Sequence, residues 1–174
     1  VGFPTDEAFP FMLDCATSIT QRGKIEYYAR SGQDTPAGMV IGRDGSAMTD
    51  SGQILRDLTS GQAALTPLGG IGEELGGYKG YGYATVVEVL SAALQAGGFL
   101  KALCGLDAEG NKAPYGLGHF FLVIDPEAFL GLESFQRTCG DILRALRASE
   151  KAPGQARIYT AGEKEYLTWL ERKD

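Results

Sequence analysis

Seven glycines fall within the run Pro67-Leu68-Gly69-Gly70-Ile71-Gly72-Glu73-Glu74-Leu75-Gly76-Gly77-Tyr78-Lys79-Gly80-Tyr81-Gly82. Dense glycine ahead of a helix lets backbone N–H groups approach an anion closely, and the helix N-terminus adds a favourable partial charge. Lys79 contributes a full charge, and Tyr78 beside it an aromatic face. The chemistry implied is the holding of a phosphate-bearing ligand. No Gly-Lys-Ser/Thr closes the run as in a Walker loop, and no convincing strand directly precedes it as in a dinucleotide fingerprint. The alternative is a flexible surface loop with a tight helix entry, although so many glycines cost more entropy than a mere connector requires.

Asp14-Cys15-Ala16-Thr17-Ser18 is the second candidate, because small and hydroxylated residues between a strand and a helix mark where α/β proteins place ligands. On the residues alone, plain helix capping by Asp14, Thr17 or Ser18 is the stronger reading. His119, the single histidine, alternates with phenylalanine and reads as structural rather than as a general base. Glu73 and Glu74 read as solvated charges, and Lys101, Lys112, Arg137, Arg144 and Arg147 as surface. Cys15, Cys104 and Cys139 form no CxxC pair, so neither a metal site nor a disulfide framework is expected.

Several elements must position these groups. Phe9 to Leu13 is predicted as a short buried strand, and Ala16 to Arg30 as a helix with Ser18 and Gln21 as a capping box. Residues 33–66 read as loop-rich, with a turn at Arg43 to Ser46 and a short helix opened by Thr49-Asp50-Ser51-Gly52. From Val86 the positions Val89, Leu90, Ala93 and Leu94 mark one helix face, ending at Gly97-Gly98. A polar turn follows at Asp107 to Lys112, and Leu117 to Ile124 reads as a buried strand. Pro126 restarts helix, continued by a stripe of Phe135, Cys139, Ile142, Leu143 and Leu146. Arg157-Ile158-Tyr159 is predicted as a short strand and Gly162 to Arg172 as a terminal helix. The pattern is α/β, with few strands for its length.

The 174 residues are 44% hydrophobic and 22% charged, ordinary values for a globular protein. A net charge of −6 argues against a nucleic-acid partner. No apolar stretch approaches the roughly 20 residues that cross a bilayer, and no basic amphipathic helix suggests a membrane surface. Reduced thiols in a cytoplasmic protein are the expectation. The chain opens Val1-Gly2-Phe3-Pro4 without an initiator methionine, which fits a piece of a longer protein.

Taken together, Met12-Leu13-Asp14-Cys15-Ala16-Thr17-Ser18, Gly77-Tyr78-Lys79-Gly80-Tyr81-Gly82 and Gly118-His119-Phe120-Phe121 resemble the type-2 malate/L-lactate dehydrogenase family. Gly23-Lys24, Pro67-Leu68-Gly69-Gly70 and Gly162-Glu163 fit the family pattern in the same order, and the resemblance runs through essentially the whole chain. The longer glycine loop is similar to the malate-type branch. Cys15 stands where the family usually has Met, and Thr160-Ala161 where a Pro commonly precedes the Gly-Glu pair.

The resemblance implies a three-layer α/β/α fold with a mixed sheet, here as a partial chain, in a homodimer. Residues 1–135 would be part of the cofactor-binding domain, and 136–174 would pack on a helical domain supplied by the N-terminal half of the same protein. It implies NAD- or NADP-dependent oxidation of a 2-hydroxy acid, malate or lactate, to the 2-keto acid. Reduction of another keto or imino acid within the family, or a non-catalytic nucleotide-binding module, are the alternatives. Cofactor contacts would come from Met12, Leu13, Asp14, Cys15, Ala16 and Thr17, from Tyr78 and Lys79, and from Gly162, Glu163 and Lys164. The catalytic histidine would lie in the N-terminal half, so no catalytic residue and no metal ligand is expected in this chain.

Overall fold

A computed structural model describes residues 1–173. It divides into two compact units, Val1–Cys15 with the chain from Leu122 onward, and Ala16–Phe121. The 135/136 boundary expected from the resemblance falls inside a helix of the first unit rather than at this division.

In the first unit, β1 (Gly2–Phe3) and β2 (Phe11–Met12) form a two-stranded antiparallel ribbon with Gly2 opposite Met12. The strand expected over Phe9 to Leu13 is therefore only two residues long. Phe3 stacks on Phe11 and meets Phe135 of α4 (Leu132–Arg147). The terminal helix, α5 (Glu163–Arg172), begins after Gly162 as expected, with Phe9 stacked on its Tyr166. Arg157 to Tyr159 form no strand. Pro126 opens a short 3-10 turn, Pro126–Ala128, instead of entering α4 directly.

The second unit has α1 (Arg22–Arg30), β3 (Val40–Gly42), α2 (Ser51–Ser60), β4 (Ala63–Leu65) and α3 (Gly77–Ala92). Its core is Ile25, Val40 and Ile54, fully buried and ringed by Met39, Met48, Leu55, Leu58, Ala63 and Leu65. β3 and β4 pair antiparallel, Ile41 opposite Ala64, a ribbon that the loop-rich composition concealed. The Asp50 side chain accepts the Gln53 N–H at 2.7 Å, so α2 starts where the Asp-Ser-Gly signal placed it. Asp44 likewise accepts the Ser46 N–H and hydroxyl in the expected turn.

Two expected elements fail for identifiable reasons. The helix expected from Ala16 begins only at Arg22, because the backbone before it is engaged elsewhere. Ile19 N–H donates to the Thr66 carbonyl at 2.9 Å and Leu68 N–H to the Thr17 carbonyl at 3.0 Å, while the Ser18 hydroxyl donates to the Thr20 carbonyl. The capping box at Ser18 and Gln21 is thus not formed. Leu117 to Ile124 forms no strand, since none of the described residues supplies a strand to pair with it. Phe121 is 85% and Val123 91% exposed.

The same shortage of cover shows on α3. Its apolar residues Val86, Val87 and Val89 are all more than half exposed, as is Leu94 beyond it, so the stripe read from the sequence is covered only in part, at Leu90. A helix apolar on several sides belongs in the interior of a larger assembly. The chain exposes 12664 Å², against about 8,200 Å² for a folded monomer of this mass.

Where α3 enters, glycine serves close packing. A Cβ on Gly80 would run into the backbone of Leu68, and one on Gly77 into the Gly70 carbonyl. Gly82, by contrast, has open space around its Cα. Gly80→Ala should therefore destabilise by more than about 1 kcal/mol through overpacking. Gly82→Ala, in an exposed helix interior, should stabilise by roughly 0.5–1 kcal/mol. Urea midpoints of the two variants check this, and equal shifts would refute the packing assignment.

Candidate functional site

Turn chemistry builds the site in the first unit. The segments 12–14 and 160–162 run side by side, with Met12 N–H donating to the Ala161 carbonyl at 3.1 Å. Leu13 N–H donates to the Val1 carbonyl at 2.8 Å, which holds the end of β2 against the chain start. Gly162 adopts φ +90°, and a Cβ there would sit 3.0 Å from the Met12 Cβ, so glycine permits both the conformation and the approach. A cavity of about 680 Å³ opens between these segments. Such a volume suits a small-molecule or cofactor site.

The cavity mixes polar and apolar lining, with hydroxyls from Tyr159, Thr160 and Tyr166. Asp14 and Glu165 supply carboxylates, and Lys164 supplies an ammonium. Lys164 Nζ lies 4.8 Å from the centre of the Tyr159 ring and makes no ion pair with a described residue. These donors fit a dinucleotide: a cation for a phosphate, an exposed carboxylate for a ribose hydroxyl, and aromatic and aliphatic walls.

Glu163 behaves differently from its neighbours. Its side chain is 2% exposed. One carboxylate oxygen accepts the Thr160 N–H at 3.0 Å and the Thr160 hydroxyl at 3.3 Å, and the other accepts from Arg157. Arg147 stands 4.0 Å away, donating to the Thr160 hydroxyl oxygen and to Glu7. Arg144 joins Asp6, Glu7 and Asp141. Arg144 and Arg147, expected as surface charges, are therefore parts of an ion-pair network that ties α4 to the N-terminal segment. Burial pushes the Glu163 carboxyl up, but the Thr160 N–H and the charges of Arg157 and Arg147 outweigh it, holding it below its ordinary range.

The remaining expected contacts are not among the residues that line this cavity. Cys15 is an exposed free thiol. In the second unit Ala16 is exposed, and the Thr17 carbonyl is taken by Leu68. Tyr78 and Lys79 occupy the first turn of α3, both exposed, with Lys79 Nζ 5.8 Å from the Tyr78 ring centre. Part of the glycine run's amide set is engaged within the run: N–H groups of Gly70, Gly76, Gly77 and Lys79 donate to the carbonyls of Pro67, Glu73, Gly72 and Gly76. The full charge it presents to an anion is the Lys79 ammonium. His119 is exposed and stacks on Phe121, and the described residues contain no cluster able to hold a metal ion.

Sequence reading missed Tyr159, Thr160, Arg147 and Arg157. A signal for one of them was present: Thr160-Ala161-Gly162-Glu163 has the T-x-x-E spacing by which a glutamate reaches back to a backbone N–H at a helix start. The arginine partners come from distant positions and left no local sign.

A family model described as malate/L-lactate dehydrogenase matches residues 1–174. A malate dehydrogenase of Pyrococcus horikoshii is 40% identical over 163 residues, which are 94% of this chain and 43% of that protein. An L-sulfolactate dehydrogenase of Methanocaldococcus jannaschii is 32% identical over 168 residues, 95% of this chain and 43% of that protein. The crystal structure of malate dehydrogenase from Entamoeba histolytica matches with a TM-score of 0.91 at 40% identity, covering 99% of this chain and 47% of that one. The chain spans less than half the length of these relatives. The mixed α/β fold expected from the resemblance is the one it shares with them.

Because folding holds the Glu163 carboxyl below its unfolded value, its contribution to stability is present above about pH 4.3 and is lost as pH falls through the lower folded value. Asp6, held low by its hydrogen bond from Arg144, acts in the same direction. Urea midpoints measured from pH 7 down to pH 3 should fall less steeply for Glu163→Gln than for the parent. Parallel slopes would contradict the ionised, paired state of Glu163.

Proposed function

Since the chain belongs to the malate/L-lactate dehydrogenase family, we propose that it is the cofactor-holding part of an oxidoreductase that converts a 2-hydroxy acid, malate or lactate, to its 2-keto acid. The observation that carries this is the first-unit cavity, where the 12–14 and 160–162 backbones converge beside an ammonium without an ion-pair partner among the described residues. NAD or NADP, when bound, supplies the hydride acceptor. The part of this chain is to bind and orient. Met12, Leu13, Asp14, Cys15, Gly162 and Lys164 contact the cofactor in the first unit, and Ala16, Thr17, Tyr78 and Lys79 in the second. In each unit one lysine, Lys164 or Lys79, is the positive charge available to a cofactor phosphate. The Asp14 carboxylate accepts from a ribose hydroxyl.

Proton exchange at the substrate hydroxyl needs a base titrating near neutrality. The single histidine here is exposed and stacked on Phe121 rather than set in either candidate site. We assign the base to an N-terminal half of the same protein, which also covers α3 and the 117–124 run. A cytoplasmic homodimer is the assembly this reading entails.

Two measurements check the proposal. A polypeptide of only these 174 residues should turn over neither malate nor lactate with either cofactor, whereas the full-length protein should. Turnover by the isolated chain would overturn the division of labour. In the full-length protein, Lys79→Ala should weaken NADH or NADPH binding by roughly tenfold in fluorescence titration, in line with loss of a charge-assisted contact. An unchanged affinity would remove Lys79 from the site.

A further inference from the structure

From Tyr159 to Tyr166 every residue lines the first-unit cavity except Glu163. Its carboxylate points the other way, into the protein, where both oxygens are already engaged by Thr160 and Arg157. A carboxylate so occupied and 2% exposed has no oxygen to offer a ligand. Yet it lies one residue from Gly162 and from Lys164, at the point where the backbone reverses. Glu163 N–H donates to the Thr160 carbonyl at 3.1 Å while its side chain accepts from the Thr160 N–H, a reciprocal pair that fixes the dihedrals of the intervening Ala161 and Gly162. Those two residues are the ones packed on Met12.

We propose that Glu163 is a positioning residue for the cofactor: clamped by Arg157, Thr160 and Arg147, it sets the Ala161-Gly162 turn and the Lys164 side chain against Met12 to Asp14, and touches no cofactor atom. This deepens the reading of the cavity as a cofactor site and rests on it. The clamp extends through Arg147 to Glu7, so the N-terminal segment that carries β2 and the turn before α5 share one set of ion pairs. Arg157 is the informative partner. It pairs with Glu163 from outside the cavity lining. A direct role for Glu163 predicts nothing for Arg157, whereas a positioning role predicts that losing either is felt at the cofactor.

The test is a cofactor-affinity cycle in the full-length protein, titrating NADH and NADPH against Glu163→Gln, Arg157→Gln, the double variant and Lys164→Ala, with KM for the organic acid measured alongside. Positioning predicts that Glu163→Gln and Arg157→Gln each raise the cofactor Kd by roughly tenfold, as expected when a site is misplaced by a fraction of an ångström. The double variant should be no worse than either single one, and the organic-acid KM should change far less. If Glu163→Gln weakens binding but Arg157→Gln does not, Glu163 contacts the cofactor directly and the proposal is wrong. If Lys164→Ala weakens binding and neither clamp variant does, the cavity reading stands and the positioning role fails. If none of the variants changes affinity, the cavity reading itself fails and takes the proposal with it. Should Glu163→Gln not fold, Arg157→Gln decides alone.

Discussion

The Glu163 carboxylate is withdrawn from water, and a charge placed so is tolerated only when it is paired and its oxygens are hydrogen-bonded. Thr160, Arg157 and Arg147 meet that condition, and in doing so they draw together parts of the first unit far apart in sequence. Arg147 comes from the last turn of α4, Glu7 from the N-terminal segment, and Thr160 from the turn before α5. Among the described residues of this unit Leu143 is the one buried apolar side chain, so ion pairs and aromatic stacking carry an unusual share of its organisation. The cavity between Met12 and Gly162 lies directly beside that clamp.

The second unit is organised differently. A small aliphatic core around Ile25, Val40 and Ile54 packs α1 and α2 onto the β3–β4 ribbon. The glycine-rich run is pressed closely against the start of α3, with the Gly70, Gly76, Gly77 and Lys79 amides bonded within it. Much of apolar α3, and the 117–124 run that spans the division between the units, face solvent. Both need apolar or hydrogen-bonding cover, since backbone groups of a β-forming run otherwise remain unpaired. The proposed assignment of catalysis to an N-terminal half and of cofactor holding to this chain accounts for that exposure and for the lack of a placed base.

Local signals were legible where one short segment decides the outcome. The Asp50 cap, the Asp44 turn and the Gly162 start of α5 are all where side-chain chemistry puts them. Signals that depend on distant partners misled. Ser18 and Gln21 have the spacing of a capping box, yet pairing of residues 17 and 19 with Thr66 and Leu68 holds that backbone out of a helix. Leu117 to Ile124 has strand composition without a strand to pair with among the described residues. Arg144 and Arg147 have the spacing of a solvated face, but Asp6 and Glu7, more than a hundred residues away, claim them. At the candidate site, the resemblance names Gly162, Glu163 and Lys164 together as one stretch. That Glu163 turns inward while Lys164 faces the cavity was not legible, because the distinction rests on Arg157 and Thr160.

On the proposed reading, a nicotinamide cofactor lies along the 12–14 and 160–164 backbones. Hydrogen–deuterium exchange of the full-length protein with and without saturating NADH or NADPH decides whether it does. Amide exchange should slow in peptides covering both segments when cofactor is present. Cofactor-dependent protection elsewhere, with both segments unchanged, would place the cofactor at another site.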